Sequence, residues 1–213
     1  MFIDLLILAV LWLGWCLLHS LLITPRADGL FHRLLGQRIA WFRLGYNLFA
    51  IISFLPPALW MLALPYPEFL VWRWPWTFVK ALFWGVAGWL LYEGFRVYPL
   101  REFLGLDQVG RFRRGEAEAP PAPLLRDGIL ARVRHPWYAA VIILLWARDI
   151  SPQDLVTSAL LTGYLLVGVR LEEAKLVAAY GEEYRRYQRQ APRLIPRTPL
   201  SGRLKGFRGP DRP

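Results

Sequence analysis

The run LLILAVLWLGWCLLHSLLI, from Leu5 to Ile23, decides the architecture. It holds no Asp, Glu, Lys or Arg over 19 residues. At about 1.5 Å per residue that is enough to cross a hydrocarbon core of about 30 Å as a helix. Two further runs of comparable length, Leu44 to Leu64 and Phe78 to Val97, complete three spans within residues 1–98. Two shorter runs follow, Trp137 to Ala147 and Leu155 to Leu171, joined by the turn-rich Arg148-Asp149-Ile150-Ser151-Pro152-Gln153. They read as a helical hairpin whose first arm reaches about half to two-thirds of the way across, so the hairpin either crosses or dips. The expectation is an all-α integral membrane protein of about five transmembrane helices, the last two a hairpin, followed by a cytoplasmic C-terminal amphipathic helix.

Composition agrees. Of 213 residues, 55% are hydrophobic and 20% charged, and mean hydropathy is +0.30, which excludes a disordered chain. A net charge of +10 would point to nucleic acid in a soluble protein, but the basic residues here sit between apolar runs. One cysteine, Cys16, allows no intramolecular disulfide, and no Cys/His cluster has metal-ligand spacing. No metal is expected.

The basic residues also orient the chain. With the N-terminus outside, 22 of the 26 Lys and Arg fall on the inner side, as the positive-inside rule requires. Trp72, Trp74 and Trp76 then cluster at the outer interface and Trp41 at the inner one. This predicts an integral protein of a bacterial inner membrane with its C-terminus in the cytoplasm. Met1-Phe2-Ile3-Asp4 lacks the basic start of a cleaved leader, so the first span is expected to be retained. Pro56-Pro57 should kink or break the second span, Glu116 to Pro123 is a linker, and the basic tail at 197–213 is expected to fray. The whole of 1–213 reads as a single membrane domain.

Chemistry concentrates in residues 128–196. In Val133-Arg134-His135-Pro136-Trp137-Tyr138, Pro136 suits the first turn of a helix, with Arg134 and His135 immediately before it. Free backbone N–H groups at a helix start, a guanidinium and an imidazole can together hold a carboxylate. The same pattern also suits a basic interfacial stop. After the hairpin come Glu172-Glu173 and Tyr180-Gly181-Glu182-Glu183-Tyr184-Arg185-Arg186-Tyr187. On an unbroken helix Glu173, Val177, Tyr180, Tyr184 and Tyr187 share one line within about 40°, which favours Glu173 over Glu172 as the carboxylate facing the tyrosines. Such a stripe can bind an ammonium group and an aromatic ring, or simply lie at the headgroups.

The ordered blocks Arg134-His135-Pro136-x-Tyr138, an apolar hairpin, Glu172-Glu173-x-x-Leu176, Tyr180-Gly181-x-x-Tyr184-x-x-Tyr187 and Pro192-x-x-Ile195-Pro196 resemble the membrane methyltransferases related to isoprenylcysteine carboxyl methyltransferase. That superfamily includes phospholipid N-methyltransferases, NnrU-like proteins and methanethiol S-methyltransferases. The signature covers about a third of the chain. Leu104-Gly105-Leu106-Asp107-Gln108, Leu145-Trp146-Ala147, Thr162-Gly163-Tyr164 and His19-Ser20 are similar to the methanethiol branch, whereas Phe42 to Asn47 departs from that branch's pattern and Ala140 stands where many superfamily members have glycine. The resemblance implies S-adenosylmethionine as methyl donor, reached from the cytosol, and a small or lipophilic acceptor arriving from the bilayer, leaning to a thiol. Isoprenylcysteine-type carboxyl O-methylation, phospholipid N-methylation and a non-catalytic NnrU-like accessory role are the alternatives. Arg134, His135, Pro136, Tyr138, Glu172, Glu173, Leu176, Tyr184 and Tyr187 would bind the cofactor, with Arg134 and His135 also acting in catalysis.

Methyl transfer from a sulfonium needs alignment more than a protein nucleophile. A thiol, however, must lose its proton. Glu93, in the third span, and His19, deep in the first, are the intramembrane ionisable groups placed to take it. Glu93 with Arg96 at i,i+3 equally fits a structural pair, and His32, in a basic loop, is expected to be solvated.

Overall fold

A computed structural model of the chain describes residues 1–116 and 123–196, so the tail and most of the Glu116 to Pro123 linker lie outside the described residues. The order is α1 (Phe2–Leu22), α2 (Pro25–Leu35), α3 (Phe42–Ala63), α4 (Thr77–Val97), α5 (Leu100–Leu104), α6 (Leu106–Arg113), α7 (Pro136–Trp146), α8 (Pro152–Tyr180) and α9 (Glu182–Gln190), with 3-10 turns at Gly36–Trp41 and Gly128–Ala131. Among the described residues there is no strand, only one isolated bridge between Leu70 and Ile150.

Among the described residues, three helices are long and apolar enough to cross a membrane: α1, α3 with the turn before it, and α8. The count of five expected from the sequence is therefore not reached on length and composition. Helix α4 forms where expected, but Lys80, Glu93 and Arg96 dilute its apolar run. Helix α7 has only 11 residues, about 16 Å of rise. Its partner arm, α8, runs for 29 residues and continues past Leu171 to carry both glutamates.

Apolar character surrounds α1, and packing selects one stripe of it. Leu8, Trp12 and Cys16, spaced four apart, are buried, while Leu6, Val10, Leu13, Leu17 and Leu21 are exposed. The exposed side chains suit lipid, and the buried stripe faces α3 and α8. Trp12 is 1% exposed and its indole N–H donates to Thr157 Oγ1 on α8 at 3.0 Å, which satisfies a donor that lipid would leave orphaned. Helix α3 continues through Pro56 and Pro57 instead of breaking there. Lipid-embedded helices tolerate proline where neighbouring helices, Ser/Thr side chains or local backbone adjustment satisfy the freed carbonyls. Ser53 Oγ donates to Phe49 O at 2.6 Å one turn earlier.

The hairpin tip is tied to the loop between α3 and α4. Ile150 exchanges backbone hydrogen bonds with Leu70, Trp72 donates to the Asp149 carboxylate, and Lys80 pairs with Asp149 at 3.1 Å. Those contacts hold Asp149 below the usual carboxylate range, the Trp72 N–H being the main cause and the Lys80 ammonium the next. Ser151-Pro152-Gln153-Asp154 then starts α8 with a capping box, Ser151 Oγ accepting from Asp154 N and Asp154 Oδ2 accepting from Ser151 N. Such a cap is worth about 1 kcal/mol.

At the opposite end, α4 and α7 meet through a glycine. A Cβ built on Gly94 would lie 2.1 Å from Trp137 Nε1, so the indole rests directly on the α4 backbone. Phe95, Tyr98 and Phe103 surround that indole with ring centroids 5.1–5.2 Å away. Gly94→Ala is expected to displace Trp137 and cost about 1–3 kcal/mol. Thermal unfolding in detergent checks this against Gly88→Ala, where a Cβ meets nothing within 4 Å and little change is expected.

Candidate functional site

Arg134 precedes α7, and its guanidinium is 7% exposed against a Glu173 carboxylate that is 5% exposed. Arg134 donates to Glu173 Oε1 from Nε at 2.9 Å and from Nη2 at 2.6 Å. Its Nη1 donates to the carbonyls of Gln188, at 3.0 Å, and Ala191. The other carboxylate oxygen of Glu173 accepts from Arg193 Nη2 at 2.8 Å and from Gln188 Nε2 at 3.2 Å. A buried carboxylate is tolerable only with this many partners. The backbone supports the same junction, since Arg134 N and His135 N donate to the carbonyls of Pro192 and Arg193.

His135 is 5% exposed and lies between two acidic side chains, with Nε2 3.3 Å from Glu173 Oε1 and Nδ1 3.8 Å from Glu172 Oε2. Burial holds its pKa below the ordinary 6.5, outweighing the two carboxylates that pull the other way. The imidazole is thus neutral at physiological pH, with one N–H to donate.

A cavity of about 280 Å³ opens beside this junction. Its walls include Arg134, His135, Glu172, Leu176, Tyr184 and Tyr187 from the sequence-predicted set. Pro136, Tyr138 and Glu173 do not line it. Pro136 is buried at the start of α7, and the Tyr138 phenol is turned to the Glu172 carboxylate, with which it shares a hydrogen bond. The preference for Glu173 over Glu172 is reversed. Glu173 is consumed by arginines, whereas the Glu172 side chain is 44% exposed and borders the cavity. The helical line used to choose between them is interrupted at Gly181, whose φ of +57° ends α8 and starts α9. That left-handed geometry suits glycine and redirects Tyr184 and Tyr187 inward, where they are 1% and 4% exposed. Burial pushes the Tyr184 phenol up to about 12 and raises that of Tyr187 as well. Tyr187 Oη donates to Leu130 O at 2.8 Å, fixing α9 to the turn before α7.

Glu93 does not reach the cavity. It pairs with Arg96 at 3.2 Å on α4, the structural alternative weighed from the sequence. His19 also lies away from the cavity walls and contacts Tyr46 instead. The remaining walls come from segments that motif reading did not single out for the site: Arg43, Tyr98, Pro99, Glu102, Phe103, Leu124 and Leu125. Arg43 Nε donates to Phe103 O at 3.0 Å, and its guanidinium lies 5.8 Å from the Phe103 ring centroid. Burial pushes the Tyr98 phenol up to about 12. Apart from Glu102 and Arg43, no local signal marks these positions, because five-residue α5 and the Pro123–Leu125 stretch reach the cavity only through packing.

The cavity therefore combines carboxylates, ring faces, an arginine, a neutral imidazole and leucines. Carboxylates and aromatic faces attract an organic cation, an arginine attracts a carboxylate, and leucines accept a flat heteroaromatic ring. These features fit the three chemical parts of a sulfonium-bearing amino-acid nucleoside.

The fold and its apolar helices define an integral membrane protein, and comparison with known proteins gives the particular likeness. The chain is 36% identical over 115 residues to methanethiol S-methyltransferase 1 of Bradyrhizobium diazoefficiens, covering 52% of this chain and 39% of that one. It is 38% identical over 96 residues to methanethiol S-methyltransferase of Crocosphaera subtropica, covering 45% and 37%. The corresponding enzyme of a Pseudomonas species is 33% identical over 119 residues, covering 55% and 45%. The chain thus spans less than half the length of these curated relatives. The likeness is consistent with the membrane methyltransferase branch related to isoprenylcysteine carboxyl methyltransferase. No protein-family model and no solved structure matches the chain.

Glu173→Gln leaves two guanidinium groups around a neutral amide. It is expected to cost about 3–5 kcal/mol of stability, as removal of one member of a buried ion pair usually does. Thermal unfolding of the full chain checks this, with the exposed Glu182→Gln as a control that is expected to change little.

Proposed function

We propose that the chain is a membrane methyltransferase that takes its methyl group from S-adenosylmethionine and gives it to a small thiol. The observation that carries this reading is the cavity in which Glu172 stands with Tyr98, Phe103, Tyr184 and Tyr187. Glu172 and the ring faces hold the cationic groups of the donor, Arg43 holds its carboxylate, and Leu124, Leu125 and Leu176 pack on its adenine. Residues 128–196 supply most of the donor side, and the three helices of residues 1–98 supply the acceptor side. In this reading Arg134 and Glu173 do not touch the donor but fix the walls that do. When bound, the donor supplies an electrophilic methyl group on a positively charged sulfur. A site that excludes water favours loss of that charge in the transition state.

The thiol acceptor is supported by the names of the relatives, and S-adenosylmethionine by their shared designation as methyltransferases. The same reading places the cavity on the cytoplasmic side of a bacterial inner membrane and the N-terminus outside, as the distribution of Lys and Arg requires. Calorimetry of the detergent-purified chain with S-adenosylhomocysteine tests it. Micromolar binding is expected, weakened about 10-fold by Glu172→Gln, or about 1.4 kcal/mol. Folded wild-type protein that binds no S-adenosylhomocysteine would overturn the reading in favour of a non-catalytic accessory protein.

A further inference from the structure

A second polar cluster lies deeper in the bundle, and the proposed donor cavity does not use it. His19 on α1 meets Tyr46 on α3, whose hydroxyl oxygen is 2.6 Å from Nε2 and 2.9 Å from Nδ1. Trp15 stacks on the imidazole with centroids 5.0 Å apart. Tyr164 of α8 stands edge-on to it at 6.3 Å and accepts a hydrogen bond from Ser20 at 3.3 Å. Three helices thus converge on a single ionisable side chain in a segment where such groups are costly and usually functional. Among the described residues, the hydrogen-bond partner of His19 is a phenol and not a carboxylate, so nothing pre-empts its capacity to take up a proton.

Tyr138 joins this cluster to the donor cavity. Its phenol hydrogen-bonds to Glu172, which borders the cavity, and its ring lies against α8 at Gly168, where a Cβ would meet the phenol oxygen at 3.8 Å, one turn after Tyr164 and one turn before Glu172. His19 stands three residues before the end of α1 and Tyr46 four residues after the start of α3. An alkyl thiol is mostly protonated at neutral pH and reacts as the thiolate. A thiolate made in advance and then buried would carry a desolvation cost of several kcal/mol. Proton removal inside the site avoids that.

We propose that His19, acting through the Tyr46 hydroxyl, takes the proton of the acceptor thiol. This inference rests on the methyltransferase reading above. One ring nitrogen can share a hydrogen bond with the Tyr46 oxygen, and Nε2, the nearer at 2.6 Å, is the one assigned here: Tyr46 Oη receives the S–H proton as its own passes to His19 Nε2. The acceptor sulfur forms the new bond to the methyl carbon at the expense of the methyl–sulfonium bond, whose electron pair stays on the donor sulfur. Charge balances, because the positive charge lost by the sulfonium reappears on the His19 imidazolium and the buried site gains no net charge.

The test compares His19→Gln and Tyr46→Phe with wild type in the full chain in detergent. It uses ethanethiol and the more acidic 2,2,2-trifluoroethanethiol as acceptors, with S-adenosylhomocysteine calorimetry as the second readout. Both variants are expected to bind S-adenosylhomocysteine within about 2-fold of wild type. Turnover of ethanethiol should fall about 100-fold, the usual scale of general-base catalysis, and that of trifluoroethanethiol less than about 10-fold, because its thiolate forms without help. Equal losses on both thiols, undiminished turnover, or lost S-adenosylhomocysteine binding would overturn the assignment. Wild type that binds S-adenosylhomocysteine but methylates neither thiol would overturn it and leave the donor site standing, whereas wild type that binds no S-adenosylhomocysteine marks failure of the methyltransferase reading itself.

Discussion

The Glu173 carboxylate is the constraint on which the basic end of the bundle depends. It is buried in a chain that is mostly apolar, so its charge has to be met from several directions at once. Arg134 meets it from the start of α7, Gln188 from α9, and Arg193 from the segment beyond. Since Arg134 also holds the Gln188 and Ala191 carbonyls, one ion pair fastens four pieces of chain that also meet in the buried cluster of Leu130, Val133, Ala139, Tyr184, Tyr187 and Ala191. The cavity walls are built on those pieces. Their positions are set jointly by that charge and by the buried apolar cluster beneath it.

This division of labour separates the two adjacent glutamates. Neighbouring helix positions point about 100° apart, so one side chain enters the junction and the other borders the cavity. His135 touches both and is kept neutral by burial. The adjacent pair thus supplies a structural anion and a ligand-facing anion from two consecutive codons' worth of chain. The same economy appears in α4, where Gly94 removes a side chain so that Trp137 can sit against the backbone while Tyr98, one turn on, faces the cavity.

Much of this was legible in the sequence. The long apolar runs located α1, α3 and α8, and the Arg134 to Tyr187 blocks hold Arg134, His135, Glu172, Leu176, Tyr184 and Tyr187 of the cavity walls. The choice of Glu173 as the cavity carboxylate came out reversed because it assumed a helix running straight through Gly181, and a positive φ there turns the chain. Arg193 was missed because a basic residue in a basic tail carries no signal of its own, and its partner lies 20 residues earlier. Tyr98, Pro99 and Phe103 were silent, since periodicity cannot locate a five-residue helix and only tertiary packing brings α5 to the start of α3. The second cluster was half visible: His19 stood out as an ionisable group in an apolar run, but Tyr46 and Tyr164 became its neighbours only in three dimensions.

The Glu173 junction shapes the cavity between α4–α5, the start of α7 and the α8–α9 elbow, which we propose holds the methyl donor. Hydrogen–deuterium exchange of the full chain with and without S-adenosylhomocysteine tests it most directly. The account predicts protection concentrated in residues 98–103, 134–138 and 172–187, with the hairpin tip at 147–153 unchanged. Protection at the hairpin tip and none at the elbow would contradict it.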